Sequence, residues 1–429
     1  MLSRRTFTGM LASATGVSMM GCASGMTQGS SGSARQGSTV LYRTVGEELH
    51  QFDVDVSGAS LTRRGAVTVP AGIQYVWPHP SKQYLYVASS NRGPGIRDET
   101  KEDKHHLTAF RIDTATGALA PHGAAAPLPA RPIHMSIDRA GQYALTAYNM
   151  PSSVTVHRIN PDGTIGVLVT QPAPLDAGIY AHQVLATPDN RVVIVVARGN
   201  DASSGKPEDP GALKLFRFKD GVLSNLASIA PGGGYGFGPR HLDFHPTQPW
   251  VYVARERENK LDVYRLDGER LSATPVFVKD TLGEPGNIRG RQAAGTVHVH
   301  PNGRFVYVAN RASATVPLEG QPVFQGGENT IAVYAIDQRS GEPTMIQSAD
   351  SHGYHVRTFA LDGTARLMVT ATIAPINVRD GSRIASVPAC LSVFRVGDDG
   401  KLDFVRKYDV ETGGKFQWWM GMVGLPGRA

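Results

Sequence analysis

The sequence predicts an all-β fold, a seven-bladed β-propeller built from four-stranded antiparallel blades. Two repeats predict it: a segment of alternating apolar residues that ends in a polar turn with glycine occurs seven times, and a Pro or Asp anchor followed by a short apolar strand occurs six times. The 48 glycines and 28 prolines suit short strands joined by tight turns. The low charged fraction of 19% argues against a coiled coil or a charged disordered chain.

The start of the chain is typical of an export signal. Arg4 and Arg5 precede a weakly apolar stretch from Met10 to Met20, which in turn precedes small residues. This order is typical of a twin-arginine signal. The alternative is a disordered basic N-terminus that has no targeting function. We predict a signal over residues 1–25, recognition by the twin-arginine export machinery, and a periplasmic or exported protein.

Two further segments complete the domain organisation. Gly21-Cys22 resembles the end of a lipoprotein cleavage box, so Cys22 is a candidate lipid-anchor site. Residues 26–39 are rich in Gly, Ser and Gln and are predicted to be a flexible linker. Residues 40–425 are predicted to form the propeller.

The repeat that ends in glycine predicts a strand followed by a hairpin turn. Its period of two is that of a half-buried strand, and Asp or Gly stands in the turn. The seven copies begin at residues 49, 107, 154, 213, 261, 331 and 391. Each copy therefore marks one blade.

The anchor repeat precedes six of these copies and supplies the first two strands of each blade. The anchors are Pro80, Asp138, Pro188, Pro246, Pro301 and Asp362. The copy at residue 49 has no such strand ahead of it, while the apolar segment Phe416 to Val423 is left over at the other end. If that segment supplies the missing inner strand, the two ends of the chain close a ring that leaves only short sheet edges.

A row of separate small β-domains is the alternative architecture. A repeat of about 55 residues has little core of its own, whereas neighbouring blades can bury each other's faces. The closed ring is therefore preferred.

Counting from the anchors predicts which polar side chains meet at one mouth of the channel. Six residues before and ten residues after the anchors, three neighbouring blades place His182 with Arg198, Arg240 with Glu256, and Arg311. A histidine, a carboxylate and several arginines at one rim could activate water and hold an anionic substrate or a developing oxyanion. The alternative is a solvated ring of salt bridges.

Other candidate chemistry is weaker. His79, His245 and His300 each precede an anchor proline, so their recurrence indicates a structural role in the blade turn. No third ligand stands at a helpful spacing from neighbouring histidines, and no metal or cofactor is predicted. Basic residues are not clustered, which argues against nucleic-acid binding.

From residue 40 to 425 the sequence resembles the seven-bladed β-propeller lactonase family, which includes a bacterial 6-phosphogluconolactonase and a fungal carboxy-cis,cis-muconate cyclase. The resemblance is strongest in AHQVLATPDNR, FGPRHLDFHPTQPWVYVARE and VHPNGRFVYVANR. It implies catalytic roles for the positions that match the family motifs, which are His182, Arg240, Glu256 and Arg311. Register and resemblance thus select the same four residues. We expect Glu256, together with His182, to act as general base on a water that attacks the lactone carbonyl, and Arg240 and Arg311 to stabilise the oxyanion.

Three further residues are assigned to substrate binding. Arg198 follows from register, and His241 is the neighbour of Arg240 in GPRH. Arg291 stands near, but one position away from, an arginine that the family carries. Insertions near 206–211, 316–328 and 376–388 are expected to reshape the mouth.

The resemblance implies a lactonase, a carboxylic ester hydrolase that acts without a cofactor on a small lactone, and the N-terminal signal predicts that this enzyme is exported. Because 6-phosphogluconolactone forms in the cytosol, an exported enzyme would more readily meet gluconolactone or another aldonolactone. The alternatives are a muconate-type lactonising cycloisomerase and a non-catalytic periplasmic propeller that binds a protein or ligand. The oligomeric state does not follow from the sequence.

Overall fold

The computed structural model describes residues 38–96, 102–287 and 289–426. These residues form a closed seven-bladed β-propeller, which confirms the predicted fold. The first strand begins at Thr39, the last residue of the predicted linker. The predicted signal, most of the predicted linker and Cys22 fall within residues 1–37 and lie outside the described residues, so they stay predictions.

Each blade is an antiparallel sheet whose strands follow one another from the channel outward. The strands are Gly72–Pro78, Tyr84–Ser90, His105–Ile112 and Leu119–Pro121 with Ala126–Pro127 in blade 1; Pro132–Ile137, Tyr143–Asn149, Ser152–Ile159 and Ile165–Leu168 in blade 2; Ala181–Ala186, Val192–Ala197, Ala212–Lys219 and Val222–Ile229 in blade 3; and Pro239–Phe244, Trp250–Arg255, Lys260–Asp267 and Arg270–Leu271 with Phe277–Asp280 in blade 4. The remaining strands are Gln292–Val299, Phe305–Ala312, Thr330–Ile336 and Pro343–Asp350 in blade 5; Val356–Leu361, Leu367–Thr372, Ala389–Val396 and Leu402–Val410 in blade 6; and Met420–Gly424, Thr39–Val45, Glu48–Asp55 and Ser60–Thr68 in blade 7.

The two ends of the propeller meet in blade 7. Its inner strand, Met420–Gly424, pairs antiparallel with Thr39–Val45, and Arg43 stands opposite Met420. The prediction that a C-terminal strand closes the ring is therefore confirmed.

The core lies between the blades. In one cluster, Tyr252 and Val263 of blade 4 pack against Val308 and Tyr334 of blade 5, and all four side chains are fully buried. A single four-stranded blade cannot cover both of its apolar faces, so each blade depends on its neighbours.

The glycine that ends the repeat makes this packing possible. Gly341 in blade 5 has a φ of +80°, and a Cβ there would lie 2.4 Å from the Trp250 ring of blade 4. Glycine adopts this left-handed backbone at little cost and leaves room for the ring. Gly163, Gly221 and Gly400 likewise leave room for an aromatic ring of the preceding blade, namely Tyr84, Tyr143 and Phe305.

Histidine and tyrosine side chains fasten the same junctions by hydrogen bonds. The Nε2 atoms of His79, His245 and His300 contact carbonyl oxygens of the next blade's turn at 2.8 to 3.2 Å. The structural role predicted for these histidines is confirmed. Tyrosine hydroxyls donate to the glycine carbonyls of the next blade, and Tyr252 donates to Gly341 at 2.9 Å.

Replacing Tyr252 by Phe is expected to lower the free energy of unfolding by about 1 kcal/mol, because the buried Gly341 carbonyl loses its donor. Urea unfolding would measure the change. Tyr84→Phe is the matched control, since the Tyr84 hydroxyl has no hydrogen bond to a described residue and its loss should change stability little. Equal effects in the two variants would contradict this account.

Two of the predicted insertions form hairpins. They are Thr315–Leu318 with Gln321–Phe324, and Ile376–Asp380 with Arg383–Val387. Among residues 38–96, 102–287 and 289–426, no helix is long and apolar enough to cross a bilayer.

Candidate active site

The polar residues predicted for the channel mouth come together at the end where the inner strands begin and the second strands finish. His182 and Arg240 lie in the inner strands of blades 3 and 4, each at a break in the strand register. Such a bulge adds one unpaired residue and re-aims its side chain. Arg198 and Glu256 follow the second strands of the same two blades, and Arg311 lies in the second strand of blade 5.

Glu256 is at the centre of this cluster. Its Oε2 accepts a hydrogen bond from Arg198 Nε, and its Oε1 accepts one from Arg311 Nη2. Arg240 Nε lies 3.5 Å from Oε1. The Glu256 side chain is only 10% exposed, so this is a buried ion cluster and not the solvated ring of salt bridges considered above.

The arginines decide the charge of Glu256. Burial alone would raise the pKa of its carboxyl, but the positive charges of Arg311, Arg198 and Arg240 outweigh burial and hold the pKa well below its usual value. The carboxylate is therefore ionised at neutral pH. With both oxygens engaged and so low a pKa, it is a weak proton acceptor.

Arg240 and Arg311 form a layer beneath Glu256. Their side chains are 1% and 4% exposed. Arg311 also packs against Gly295, where a Cβ would lie 3.1 Å from Arg311 Nε and crowd it. These two guanidinium groups hold the carboxylate from below.

His182 and His241 form an edge-to-face ring pair with centroids 5.2 Å apart. Burial first, and then the charge of Arg240, holds the pKa of each ring well below its usual value. Both rings are therefore neutral at pH 7. His182 lines the cleft described next, whereas His241, which the sequence analysis assigned to substrate binding, does not line it.

A cleft of about 580 Å³ opens above Glu256. It is lined by Pro94, Arg131, Ile133, Met150, Tyr180, His182, Arg198, Asn200, Asp201, Ser203, Lys206, Glu256, Arg291, Arg357 and Trp418. Cations outnumber carboxylates among these groups, so the cleft is suited to a substrate that carries or develops negative charge.

The two arginines assigned to substrate binding both line this cleft, but their surroundings differ. Arg198 donates from Nη2 to both carboxylate oxygens of Asp201, at 3.0 and 2.8 Å, in addition to its bond with Glu256. Arg291 is 67% exposed and approaches Asp201 only to 3.7 Å. Arg198 is thus fixed in the cluster, whereas Arg291 stands at its outer edge.

Arg357 is one of the cleft residues that the sequence analysis did not find. It lies at the register break of the blade 6 inner strand, so it occupies the position of His182 and Arg240. Counting six residues back from Asp362 selects Val356 instead. The reason is the turn: Asp362 N donates to Leu367 O as His245 N donates to Trp250 O, so the Asp anchor matches the residue before the proline.

Trp418 and Asp201 were missed for another reason. Trp418 lies in the segment before the closing strand, and Asp201 lies in the connection that leads into the first predicted insertion. Neither position belongs to the repeat, so counting from the anchors could not find them. Trp418 and Asp201 can be recognised as site residues only in the folded chain, where they line the same cleft as the repeat residues.

No group of three or more His, Cys, Asp or Glu side chains placed to hold a metal ion occurs in the part of the chain that the structure describes. The chemistry on offer there is that of an ionised carboxylate, neutral imidazoles and several guanidinium groups. Such a set can orient water, accept a proton and stabilise an oxyanion.

The fold and this site define a propeller enzyme whose polar groups converge in a cleft at one mouth of the channel. Residues 37–378 match the family described as Lactonase, 7-bladed beta-propeller. The chain belongs to that family, and it is a lactonase-type enzyme.

Curated relatives and solved structures agree with the family. The chain is 28% identical over 326 residues to the 6-phosphogluconolactonase of Pectobacterium carotovorum, covering 76% of this chain and 84% of that protein. It is 25% identical over 362 residues to the 6-phosphogluconolactonase of Bacillus subtilis, covering 81% of this chain and 92% of that protein. The periplasmic gluconolactonase of Pseudomonas aeruginosa has a similar fold, with a TM-score of 0.66 and 20% identity, covering 91% of this chain and 99% of that structure.

Proposed function

We propose that this protein is an exported lactonase that hydrolyses a sugar lactone, with gluconolactone or another aldonolactone as the preferred class. The observation that carries the proposal is a buried Glu256 carboxylate, fixed by Arg198 and Arg311, in a cleft that a neutral His182 also lines. Export remains an expectation from the N-terminal sequence. It is supported by the likeness in fold to a periplasmic gluconolactonase.

The proposed reaction begins with water held in the cleft. The sequence suggested Glu256 as the base, but arginines engage both of its oxygens, so His182 is the better proton acceptor. The negative charge of Glu256 raises the pKa of His182 against the effects of burial and Arg240, and it would stabilise the imidazolium as it forms. Glu256 then acts as the electrostatic partner of the base.

This division of roles predicts the pH dependence of kcat/KM. A base must be unprotonated, and burial followed by the charge of Arg240 lowers the pKa of His182 well below its usual value. We therefore expect activity to be retained as the pH falls through about 6.5, the ordinary titration range of histidine. A rate profile between acid and neutral pH, corrected for spontaneous hydrolysis, measures this, and an acid limb centred on that ordinary pKa would contradict it.

The function itself is tested by a hydrolysis screen with a pH indicator. The panel should contain glucono-δ-lactone, 6-phosphogluconolactone, a galactonolactone and an aliphatic lactone, each read against the Glu256→Gln variant and against buffer. Arg304→Gln is a folded control, because Arg304 is exposed in a blade 5 turn and packs over Phe305 away from the cleft. We expect the native protein and this control to accelerate opening of the sugar lactones.

The outcomes separate the alternative functions. Acceleration confined to 6-phosphogluconolactone would overturn the preference for an unphosphorylated aldonolactone. No lactone opening, together with lactonisation of an unsaturated dicarboxylate, would identify the cycloisomerase. Inactivity in both assays would favour the non-catalytic binding protein and overturn the proposal.

A further inference from the structure

We infer that Arg357 is the catalytic cation that faces the reacting carbonyl oxygen, whereas Arg240 and Arg311 are positioning residues for Glu256. This assignment rests on the proposed lactone hydrolysis. It differs from the expectation based on the sequence, in which Arg240 and Arg311 stabilise the oxyanion.

Access to the cleft separates the arginines. Arg240 and Arg311 are almost fully buried, and neither lines the cleft. Arg311 Nη2 is already bonded to Glu256 and lies 3.4 Å from the Ala294 carbonyl oxygen. A substrate oxygen in the cleft therefore cannot contact either guanidinium while Glu256 stays in place.

The other cleft arginines are engaged or remote. Arg198 is bonded to Glu256 and to both oxygens of Asp201. Arg131 donates from Nε to Gln74 Oε1 at 2.9 Å, on the blade 1 and 2 side of the channel. Arg291 is largely exposed, and a solvated charge stabilises an oxyanion weakly.

The position and the contacts of Arg357 suit it to stabilise an oxyanion. Its guanidinium carbon lies 4.7 Å from the centroid of the Trp418 ring, which fixes the plane of the group. Within the described residues, its side chain has no hydrogen bond and no ion pair. It is therefore a held cation with free donors at a cleft that Glu256 and His182 share.

The electrostatics agree with this geometry. Burial first, and then the charge of Arg311, lowers the pKa of Arg357 to about 9, against an opposing contribution from Glu256. The group is still a cation at neutral pH. Because it lacks a counter-charge of its own, it gains more from an oxyanion than a paired arginine would.

The step can be written with its protons in balance. The water oxygen attacks the carbonyl carbon, the carbonyl π electrons move to its oxygen beside Arg357, and His182 takes a proton from the water. When the tetrahedral intermediate collapses, the ring C–O bond breaks and the leaving alkoxide takes that proton from His182. The product is a hydroxy acid whose carboxyl group then loses its remaining proton to water. The resulting carboxylate lies next to Arg357 until release.

Arg357→Gln is therefore expected to lower kcat by about 10² to 10³ with little change in KM, since the interaction forms mainly in the transition state. Inhibition by gluconate, the opened product, should weaken in the same variant. Arg304→Gln is the matched control, because Arg304 also packs over an aromatic ring, at 5.2 Å from the Phe305 centroid, and should behave as the native protein.

Two more variants keep the test informative if Arg357→Gln folds poorly. Arg357→Lys keeps the charge but loses the planar group, so an intermediate kcat is expected. In Arg357→Ala, added guanidinium salt at non-denaturing concentration should restore part of kcat, which a purely structural role would not allow.

The outcomes are distinguishable. A raised KM with unchanged kcat would assign Arg357 to ground-state binding and overturn the proposal, and so would unchanged kinetics or absence of rescue. A native protein that opens no lactone would instead refute the proposed function, and the role of Arg357 with it.

Discussion

Replacing Glu256 by Gln should remove most of the lactonase activity and destabilise the propeller at the same time. Turnover is expected to fall by about 10² to 10³, because the base loses its electrostatic partner. The free energy of unfolding should fall by about 3 to 5 kcal/mol, because a neutral amide leaves buried arginines without their counter-charge. Arg240 and Arg311 lose their counter-charge, whereas Arg198 keeps its ion pair with Asp201.

Urea unfolding and turnover, measured on the same preparations at pH 7, test this double effect. Glu269→Gln is the matched control, since Glu269 forms an exposed pair with Arg217 at 2.6 Å. Loss of a surface pair should change the free energy of unfolding little and leave turnover unchanged. Similar losses of stability in both variants would show that burial does not make the Glu256 ion cluster more important for stability than an exposed ion pair.

The difference in unfolding free energy between the native protein and Glu256→Gln should also depend on pH. The arginines lower the pKa of Glu256 despite its burial, so its contribution to stability is present above the unfolded pKa of about 4.3. That contribution is lost as pH falls through the lower folded pKa. The stability difference between the native protein and Glu256→Gln should therefore narrow on acidification below about pH 4.

The fold could be predicted from the sequence because each repeat carries local information that agrees with the whole. Turn glycines, alternating strands and anchor residues recur, and Gly341 shows why: its left-handed backbone also seats Trp250 of the neighbouring blade. Ring closure could be predicted because the repeat copy at residue 49 has no inner strand ahead of it, while one apolar segment near the C-terminal end belongs to no other blade. Local and long-range requirements therefore indicated the same architecture.

The site could be predicted only where the repeat is regular. His182 and Arg240 lie six residues before a proline anchor, and counting found both. Arg357 was missed because its anchor is Asp362, whose backbone hydrogen bonds place it one position earlier in the turn than a proline anchor. Trp418 and Asp201 come from segments without a repeat, so only the folded chain brings them to the cleft.

The sequence also could not show which of these side chains line the cleft and which lie buried behind them. Register counting placed Arg240, Glu256 and Arg311 at one rim as equivalent groups. In the structure, Arg240 and Arg311 lie beneath Glu256 and do not line the cleft. Side-chain direction at a bulge decides this layering, and a count of residues contains no such information.

Replacing Arg240 by Met should separate activity from stability. The Nε and Nη1 atoms of Arg240 have no hydrogen-bond partner among the described residues, and burial followed by the charges of Arg311 and Arg357 disfavours its cation. A methionine of similar length removes that cost, so the free energy of unfolding should stay the same or rise by about 1 kcal/mol. Turnover should still fall by about 10², because Glu256 loses one of the groups that fix its position.

The double variant Glu256→Gln/Arg240→Met tests whether these residues act as one unit. With one uncompensated cation fewer, it should recover about 1 to 3 kcal/mol of the stability that Glu256→Gln loses. Its turnover should equal that of Glu256→Gln alone, because a positioning residue has no further effect once the group it positions is gone. Additive losses of activity would instead assign Arg240 an independent contact with the substrate, and additive losses of stability would mean that its charge is not in excess in the buried cluster.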